Sequence, residues 1–366
     1  ALNMIAQPQP QPIGSPMRIG APCCDRVNAW MADGWRSTLT VADERFMAAA
    51  LALSWRGRGQ TAPNPNVGCV IVRDGQIVSR GWTQPGGRPH AEADALDGVD
   101  ARGADIYVTL EPCAHKSDRG PACADLLVEA APARVIIAAQ DPDPRTNGAG
   151  AARLRDAGIT VTEGVQTEEA HRAMAGFFTR QAKGRPHVTL KLATSLDGQV
   201  ALPDGSSQWI TGPEARAHAH VERALSDMVV VGRGTVVADQ PQLDVRLTGL
   251  EARTPARAVL SSEYSNFAQL KADNPVWQHL SSPEASADLD NVDYLLVEGG
   301  AGAAAAFVAA DLVDRLLLYR APILVGTGLS ALGDIGLAQL DDAHGQWRLV
   351  ETRMLGVDRM EVYEKA

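Results

Sequence analysis

The segments His90-Ala91-Glu92 and Glu111-Pro112-Cys113, followed by Cys123, decide how the first half of this chain folds. One imidazole and two thiolates can hold Zn²⁺ tetrahedrally and leave the fourth position to water, whose pKa the metal lowers from 15.7 toward ~7. Glu92 can carry a proton from that water to a leaving group. The pattern therefore predicts His90, Cys113 and Cys123 as zinc ligands and Glu92 as the catalytic acid/base.

The spacing of the two cysteines leaves other interpretations open. Nine residues, 114–122, separate them, whereas the pattern H-x-E followed by P-C-x-x-C of zinc deaminases has two. The site could be a histidine near two unrelated buried cysteines, or a purely structural zinc site. A structural site normally has four protein ligands, and no fourth Cys or His is spaced to complete it, although His115 could compete. The glutamate favours hydrolytic deamination.

Hydrophobic periodicity predicts the elements that carry this pattern. Apolar residues at helical spacing from Phe46 to Leu53 predict a first helix, and Asp74-Gly75 predicts a tight hairpin turn. A helix that begins at Cys123 would place a thiolate at its positive end. The predicted strands are 67–72, 76–81, 106–110, 134–139 and 159–162, and further helices are predicted from residue 90 and over 168–180.

The second half alternates strands and helices, which predicts a second α/β domain with a mainly parallel sheet. The segment Glu298-Gly299-Gly300-Ala301-Gly302-Ala303 passes from a strand through glycines into a helix, where backbone amides can hold a phosphate. A tight turn with an alanine packing face is the alternative. The predicted strands are 188–193, 228–231, 258–260, 294–297 and 316–319, and the helices are 213–225 and 301–309.

Composition and length bound the class of protein. A chain of 366 residues is long enough for two cores, and its 45% hydrophobic and 21% charged content is that of a globular protein. No run of 18 apolar residues occurs, so no membrane span is predicted. The formal net charge of -10 argues against nucleic acid as the main partner. A small phosphorylated substrate needs only a local basic pocket.

The cysteines indicate the cellular compartment, and the composition along the chain indicates the domain boundaries. Five cysteines, two of them assigned to zinc, do not read as a disulfide framework and fit a reducing cytoplasm. Residues 1–42 carry Gln-Pro repeats without a compact signal sequence and are predicted to be a poorly ordered extension. The predicted seam between the domains, residues 183–186, divides the remainder into domains 43–185 and 186–366.

Further motifs match one family in order over residues 43 to 366. The chain resembles the bifunctional riboflavin-biosynthesis deaminase-reductases, in which a cytidine-deaminase-like zinc domain precedes a dihydrofolate-reductase-like domain. The long cysteine loop is that family's own variant. The motifs that carry the resemblance, besides the zinc pattern, are residues 63–72, 107–113, 141–144, 191–198, 207–211, 234–236 with 239–241, and 297–300.

The resemblance implies substrate and cofactor contacts at matching positions. In the deaminase half they are Asn64, His115, Arg119, Asp141 and Asp143. In the reductase half the substrate side is Ser207, Arg223, Asp239, Leu243, Arg246 and Glu298. The NADPH side is Ala193, Trp209, Thr235, Gly300, Ala301, Gly302 and Ala303. Lys191 and Asp197 are expected near the reductase site.

The resemblance also implies an activity. The first domain would deaminate 2,5-diamino-6-(5-phosphoribosylamino)pyrimidin-4-one, and the second would reduce the ribosyl group with NADPH. Family members assemble into oligomers, so a homo-oligomer is expected. Two other hypotheses are a deaminase of another base or nucleotide with an inactive reductase-like half, and a zinc-stabilised binding module without activity.

Overall fold

The computed structural model describes residues 40–115, 119–263 and 277–366. The predicted extension therefore lies outside the described residues as far as residue 39. The first helix, α1 (Val41–Ser54), begins two residues before the predicted boundary at residue 43. Thr40 and Asp43 explain this start because they form a capping box: the Asp43 amide donates to Thr40 Oγ1 at 3.1 Å, and the Thr40 amide donates to Asp43 Oδ2 at 3.0 Å.

A five-stranded sheet, counted over the described residues, organises the first half of the chain. Its strand order is β2-β1-β3-β4-β5, with β1 antiparallel to β2 and β3, and with β3, β4 and β5 parallel. The strands are β1 (Gly68–Arg73), β2 (Gln76–Trp82), β3 (Asp105–Leu110), β4 (Arg134–Ala139) and β5 (Thr160–Glu163). The helices after α1 are α2 (Ala91–Leu96), α3 (Cys123–Ala130), α4 (Ala149–Asp156), α5 (Thr167–Ala173) and α6 (Ala175–Lys183).

The predicted strands of this half are confirmed to within two residues at each end, and one helix prediction is wrong. Parallel strands that are covered on both faces read as continuous apolar runs, and β3 and β4 are buried in this way. The single helix predicted over 168–180 is divided into α5 and α6 at Met174, whose φ is -111°. The apolar periodicity of the sequence continues through this bend, so it did not indicate a break between two helices.

Two glycines let helices lie directly on this sheet. A Cβ atom at Gly68 would lie 1.9 Å from the carbonyl oxygen of Ala50 in α1. At Gly81 a Cβ atom would lie 2.3 Å from the carbonyl oxygen of Ala91 and 2.4 Å from the amide of Ala95, both in α2. Both helices therefore approach the strands more closely than any other residue type would allow.

The second half builds an eight-stranded sheet within the described ranges. Its order is β10-β9-β8-β11-β6-β12-β15-β14. Its strands are β6 (His187–Thr194), β8 (Met228–Gly232), β9 (Ala256–Leu260), β10 (Trp277–Leu280), β11 (Tyr294–Val297), β12 (Arg315–Arg320), β14 (Trp347–Leu355) and β15 (Asp358–Lys365). Two short strands, β7 (Gln199–Ala201) and β13 (Leu329–Ser330), pair antiparallel in a separate sheet. The helices are α7 (Pro213–Ala224), α8 (Arg233–Asp239) and α9 (Ala301–Ala309). Across residues 40–115, 119–263 and 277–366, no helix is both long and apolar enough to span a bilayer.

The predicted parallel sheet is confirmed: the five predicted strands pair in parallel, and β10, which was not predicted, extends them in parallel beside β9. The C-terminal hairpin β14–β15, which pairs antiparallel with β12, was not predicted. Most of β14 is half-buried or exposed, so it lacks the apolar run that identified the central strands. The sheet is thus mixed, with its antiparallel part at one edge.

Contacts on both sides of the predicted seam join the two halves. Tyr294, the first residue of β11, donates its hydroxyl hydrogen to Asn66 Oδ1 at 2.9 Å, and the Arg58 guanidinium lies 4.1 Å from the Tyr294 ring centroid. Arg253 donates to the carbonyl oxygens of Arg56 at 2.9 Å and Arg58 at 2.8 Å. The first residue of β11 therefore contacts the first half of the chain, and the strand runs from there to residue 297.

A buried carboxylate ties α1 to the first sheet. Asp43 is 2% exposed and accepts hydrogen bonds from the Tyr107 hydroxyl at 2.7 Å and from Arg134 Nη2 at 3.1 Å. Burial acts to raise the pKa of Asp43, but the hydrogen bonds from Tyr107 and Thr40, with the charge of Arg134, outweigh it and hold the pKa below its ordinary value.

We predict that Asp43→Asn lowers the free energy of unfolding by about 2 kcal/mol at pH 7, because the amide cannot satisfy these donors. A depressed native pKa stabilises the fold above the unfolded pKa of about 3.9, and this contribution is lost as pH falls through the native pKa. The difference between wild type and variant should therefore shrink below about pH 4. Urea unfolding at pH 7 and pH 3.5, with exposed Asp156→Asn as control, measures it. An equal difference at both pH values would contradict this assignment.

Candidate functional site

The three predicted metal ligands come together from three segments. His90 is the residue before α2, Cys113 lies three residues after β3, and Cys123 is the first residue of α3. One ligand atom from each lies within 4.8 Å of the others, and His90 Nδ1 is 3.2 Å from Cys123 Sγ and 3.7 Å from Cys113 Sγ. His115 is not in this cluster, and its Nδ1 lies 3.4 Å from Thr146 Oγ1 instead.

The surroundings of the cluster favour a thiolate. The Cys113 sulfur accepts a hydrogen bond from the Cys123 amide at 3.2 Å. The hydrogen bond from the Cys123 side chain, together with His90 and that amide, holds the pKa of Cys113 below its ordinary value, although burial acts in the opposite direction. Two buried sulfurs and one imidazole form a donor set that suits Zn²⁺ and is too soft for Mg²⁺ or Ca²⁺. The residues present therefore fit zinc.

Glu92 lies beside these ligands in the first turn of α2 and is 4% exposed. Burial raises the pKa of its carboxyl above the ordinary value. A general acid/base works best when its pKa approaches the working pH. The position and environment of Glu92 therefore suit proton transfer at the metal site.

A cavity of about 300 Å³ opens onto this cluster. Loops at the ends of strands supply most of its wall, and α6 closes one side with Phe177 and Gln181. The five residues predicted as deaminase substrate contacts all line the cavity with His90, Glu92 and Cys113: they are Asn64, His115, Arg119, Asp141 and Asp143.

Several lining residues were not predicted, and Glu111 is the most consequential. Its carboxylate accepts backbone hydrogen bonds from Gly148 at 2.9 Å, Gly150 at 2.9 Å and Ala151 at 3.1 Å, and a longer one from Asp141 at 3.3 Å. It thereby fixes the loop that carries two predicted contacts. The sequence signal that could have identified Glu111 is a carboxylate placed between an apolar strand and Pro112-Cys113. The other unpredicted polar or aromatic lining residues include Arg88, Arg145, Phe177 and Gln181.

The two aspartates of that loop differ in charge. Burial raises the pKa of Asp141 to about 7. Asp143 is paired with Arg145, whose Nη2 donates at 2.5 Å, and this partner holds the pKa of Asp143 below its ordinary value. Near neutral pH, Asp143 therefore carries a full charge and Asp141 is partly protonated.

A second cavity, of about 590 Å³, lies in the other half of the chain at the carboxyl ends of β6, β8 and β11. All seven predicted cofactor positions line it: Ala193, Trp209, Thr235, Gly300, Ala301, Gly302 and Ala303. On the substrate side, Ser207, Asp239 and Glu298 line it, as does Lys191. A further cavity, of about 530 Å³, shares four lining residues with this one: Gly232, Gly234, Gly302 and Ala303.

The wall at α9 is suited to a phosphate group. Gly300 precedes this nine-residue helix and offers no side chain to cap its first amides. At Gly302 a Cβ atom would meet no heavy atom within 4 Å, so the backbone borders open space there. Uncapped amides beside an open cavity bind anions through hydrogen bonds and the helix dipole. These residues fit the diphosphate of a dinucleotide such as NADPH.

Four predicted reductase positions do not line either cavity. Leu243 is 4% exposed and packs in the apolar cluster behind the sheet. Arg246 is an exposed side chain that donates to Asp244 Oδ1 at 2.9 Å. Asp197 accepts from the Ser195 hydroxyl at 2.5 Å and from the Gly326 amide at 2.7 Å, and so fixes a turn. Arg223, the fourth, is mostly buried and pairs with Glu298.

A buried chain of charges links Arg223 to the cavity. Arg223 Nε and Nη2 donate to the two oxygens of Glu298 at 2.5 and 2.9 Å, and Lys191 Nζ lies 3.9 Å from the same carboxylate. Burial acts to raise the pKa of Glu298, but the Arg223 hydrogen bonds outweigh it and lower the pKa. Burial lowers the pKa of Lys191. The positive charge of Arg223 is therefore balanced by the carboxylate of Glu298.

The fold and the two sites define a class of protein: a zinc-dependent deaminase joined in one chain to a dihydrofolate-reductase-like domain that uses NADPH. Residues 40–139 match the family described as the cytidine and deoxycytidylate deaminase zinc-binding region, and residues 186–360 match the RibD C-terminal domain. The chain belongs to the RibD family of riboflavin biosynthesis proteins, whose members are bifunctional deaminases and reductases.

Relatives match nearly the whole chain. It is 40% identical over 359 residues to the riboflavin biosynthesis protein RibD of Escherichia coli, covering 86% of this chain and 97% of that protein. The structure of Acinetobacter baumannii RibD matches with a TM-score of 0.77 and 34% identity, covering 89% of this chain and 99% of the other. A Thermotoga maritima diaminohydroxyphosphoribosylaminopyrimidine deaminase/5-amino-6-(5-phosphoribosylamino)uracil reductase matches with the same TM-score and coverage at 32% identity.

We predict about one Zn²⁺ per chain in the purified protein and a strong loss of zinc in the Cys113→Ser variant, because an alcohol is a poor zinc ligand. Metal analysis after dialysis against a weak chelator measures this. Cys69→Ser is the matched control, since Cys69 is also a buried free cysteine but lies outside the ligand cluster. Full zinc occupancy in Cys113→Ser would refute the ligand assignment.

We predict that Arg223→Ala lowers the free energy of unfolding by about 3 kcal/mol, because it leaves Glu298 buried without its main partner. Arg246→Ala should cost less than about 1 kcal/mol, because its ion pair is exposed. Urea unfolding of both variants at pH 7 compares them directly. Equal losses would show that Arg223 does not compensate a buried charge.

Proposed function

We propose that the first domain hydrolyses the exocyclic amine of 2,5-diamino-6-(5-phosphoribosylamino)pyrimidin-4-one. The observation that carries this proposal is the buried Glu92 beside a His/Cys/Cys cluster that borders a cavity. A structural zinc site has no use for a buried carboxylate beside its ligands, whereas hydrolytic deamination needs one to move protons.

The residues of this cavity divide the work. His90, Cys113 and Cys123 would hold the zinc ion, which when bound supplies a water molecule that is acidic enough to react near neutral pH. Glu92 takes a proton from the water and gives it to the departing amine. Asn64 Nδ2 donates to the Gly87 carbonyl oxygen at 2.7 Å and lies 3.2 Å from His90 Nε2, so the Asn64 side chain contacts the imidazole as well as lining the cavity.

We propose that the second domain then reduces the ribosyl group with NADPH and releases 5-amino-6-(5-phosphoribitylamino)uracil. The cofactor would lie along the glycine-rich wall at α9, with Trp209 and Thr235 beside it. Ser207, Asp239 and Glu298, together with Lys191, would contact the substrate, because they line the same cavity. Arg223 would act by holding Glu298 in place.

The division of the chain into two domains, the cellular location and the oligomeric state are also part of this proposal. Domain 43–185 would carry deamination and domain 186–366 reduction, in agreement with the separate cavities on the two sides of residue 183. Reduced cysteines at the metal site favour the cytoplasm as the location. We also propose a homo-oligomer, in keeping with the oligomeric members of the family.

Coupled turnover tests the two reactions against the other hypotheses. NADPH oxidation that depends on the deaminated intermediate supports both activities. Deamination without any NADPH oxidation would favour a deaminase with an inactive second half. Zinc binding without either reaction would leave only a binding module.

We predict that Glu92→Gln keeps the zinc and the fold but lowers deamination by ~10²-fold or more, because an amide cannot transfer the proton. Reduction of a substrate that is already deaminated should continue at the wild-type rate. Ammonia release and NADPH oxidation, measured separately on the same protein, test both statements. Normal ammonia release would mean that another group moves the proton.

A further inference from the structure

The deaminase cavity contains an ion pair whose role is not explained by zinc chemistry. Arg145 Nε donates to Asp143 Oδ1 at 3.0 Å and to Oδ2 at 3.1 Å, and Nη2 donates to Oδ2 at 2.5 Å. Both side chains line the cavity. The Asp143 side chain is 12% exposed and that of Arg145 is 66% exposed, so the guanidinium is the outer member of the pair.

Two other carboxyl groups of the cavity wall are less able than Asp143 to repel an anion. Glu111 is engaged by backbone amides, and burial raises the pKa of Asp141. Asp143 is the loop carboxylate that keeps its full charge, because Arg145 stabilises the ionised form. The exposed Arg145 guanidinium therefore offers a cation to a phosphate group at the wall of the cavity.

The turn from Asp143 to Arg145 holds the arginine in a position to contact a phosphate group. The Arg145 amide donates to Asp143 Oδ1 at 2.9 Å, so the carboxylate fixes both the backbone and the side chain of Arg145. A guanidinium has five N–H donors in a fork, and its pairing with Asp143 engages only the Nε edge. The remaining donors can bind phosphate oxygens through charge-assisted hydrogen bonds.

We propose that Arg145 binds the phosphate of the deaminase substrate and makes the enzyme select phosphorylated over dephosphorylated pyrimidines. Asp143 would hold the guanidinium in place, and Arg145 would be a specificity residue with no part in the proton transfer. This inference rests on the proposed function, because it concerns the phosphoribosyl part of that substrate.

The test compares the full-length, zinc-loaded enzyme and its variants on the phosphoribosyl substrate and on the same compound without its phosphate. The variants are Arg145→Ala, Asp143→Asn and the double variant. The matched control is Arg153→Ala, since Arg153 pairs with Asp125 at 2.7 Å and does not line the cavity. Zinc content is measured for each protein, so that a disturbed metal site is recognised.

Arg145→Ala should raise KM for the phosphorylated substrate by about ten- to a hundredfold, with kcat changed much less, as expected for a lost charge-assisted contact. KM for the dephosphorylated compound should stay close to the wild-type value. The same loss of selectivity should appear when Arg145→Ala is added to Asp143→Asn. Arg153→Ala should behave as wild type.

Recovery of the wild-type KM in the double variant would overturn the inference, because Arg145 would then only neutralise Asp143. Equal activity of the wild-type enzyme on both compounds would also overturn it while leaving the proposed chemistry in place. Absence of ammonia release from either compound would instead refute the proposed substrate class.

Discussion

The convergence of three side chains on one metal position is the constraint on which the first domain depends. Each ligand lies where an element begins or ends: His90 before α2, Cys113 after β3 and Cys123 at the start of α3. Because a zinc ion accepts its ligands only at bond lengths near 2.0–2.3 Å, these boundaries cannot vary independently. Glu111 reinforces them, since its bonds to the backbone amides of Gly148 and Gly150 join the end of β3 to the start of α4.

Charge in the second domain is arranged locally, in contrast to the net charge of -10 of the whole chain. Arg223 and Lys191 surround Glu298 at the cavity wall, and the three groups are largely removed from water. Such a group of charges adds little net stability, because the cost of desolvation offsets the attraction. Its value lies in fixing one orientation of Glu298 at the end of β11.

The parts that were predictable from sequence are those with a short-range signal. The zinc ligands, Glu92 and the buried parallel strands follow from residue type and spacing, and all of them lie where the patterns placed them. The division between α5 and α6, the edge hairpin and the pairing of Arg223 with Glu298 depend on contacts between residues far apart in the chain. Arg246 shows the same limit, because its matching position did not reveal that its side chain is exposed.

Gly81 gives the metal site a dependence on a residue that touches neither zinc nor substrate. Helix α2 lies so close to β2 that a side chain at Gly81 would collide with the backbone of Ala91, the neighbour of the ligand His90. A substitution there would displace the histidine together with its helix. In a genetic screen for riboflavin auxotrophs, mutations at this glycine would resemble ligand mutations. Natural variation at position 81 should be as narrow as at the ligands themselves.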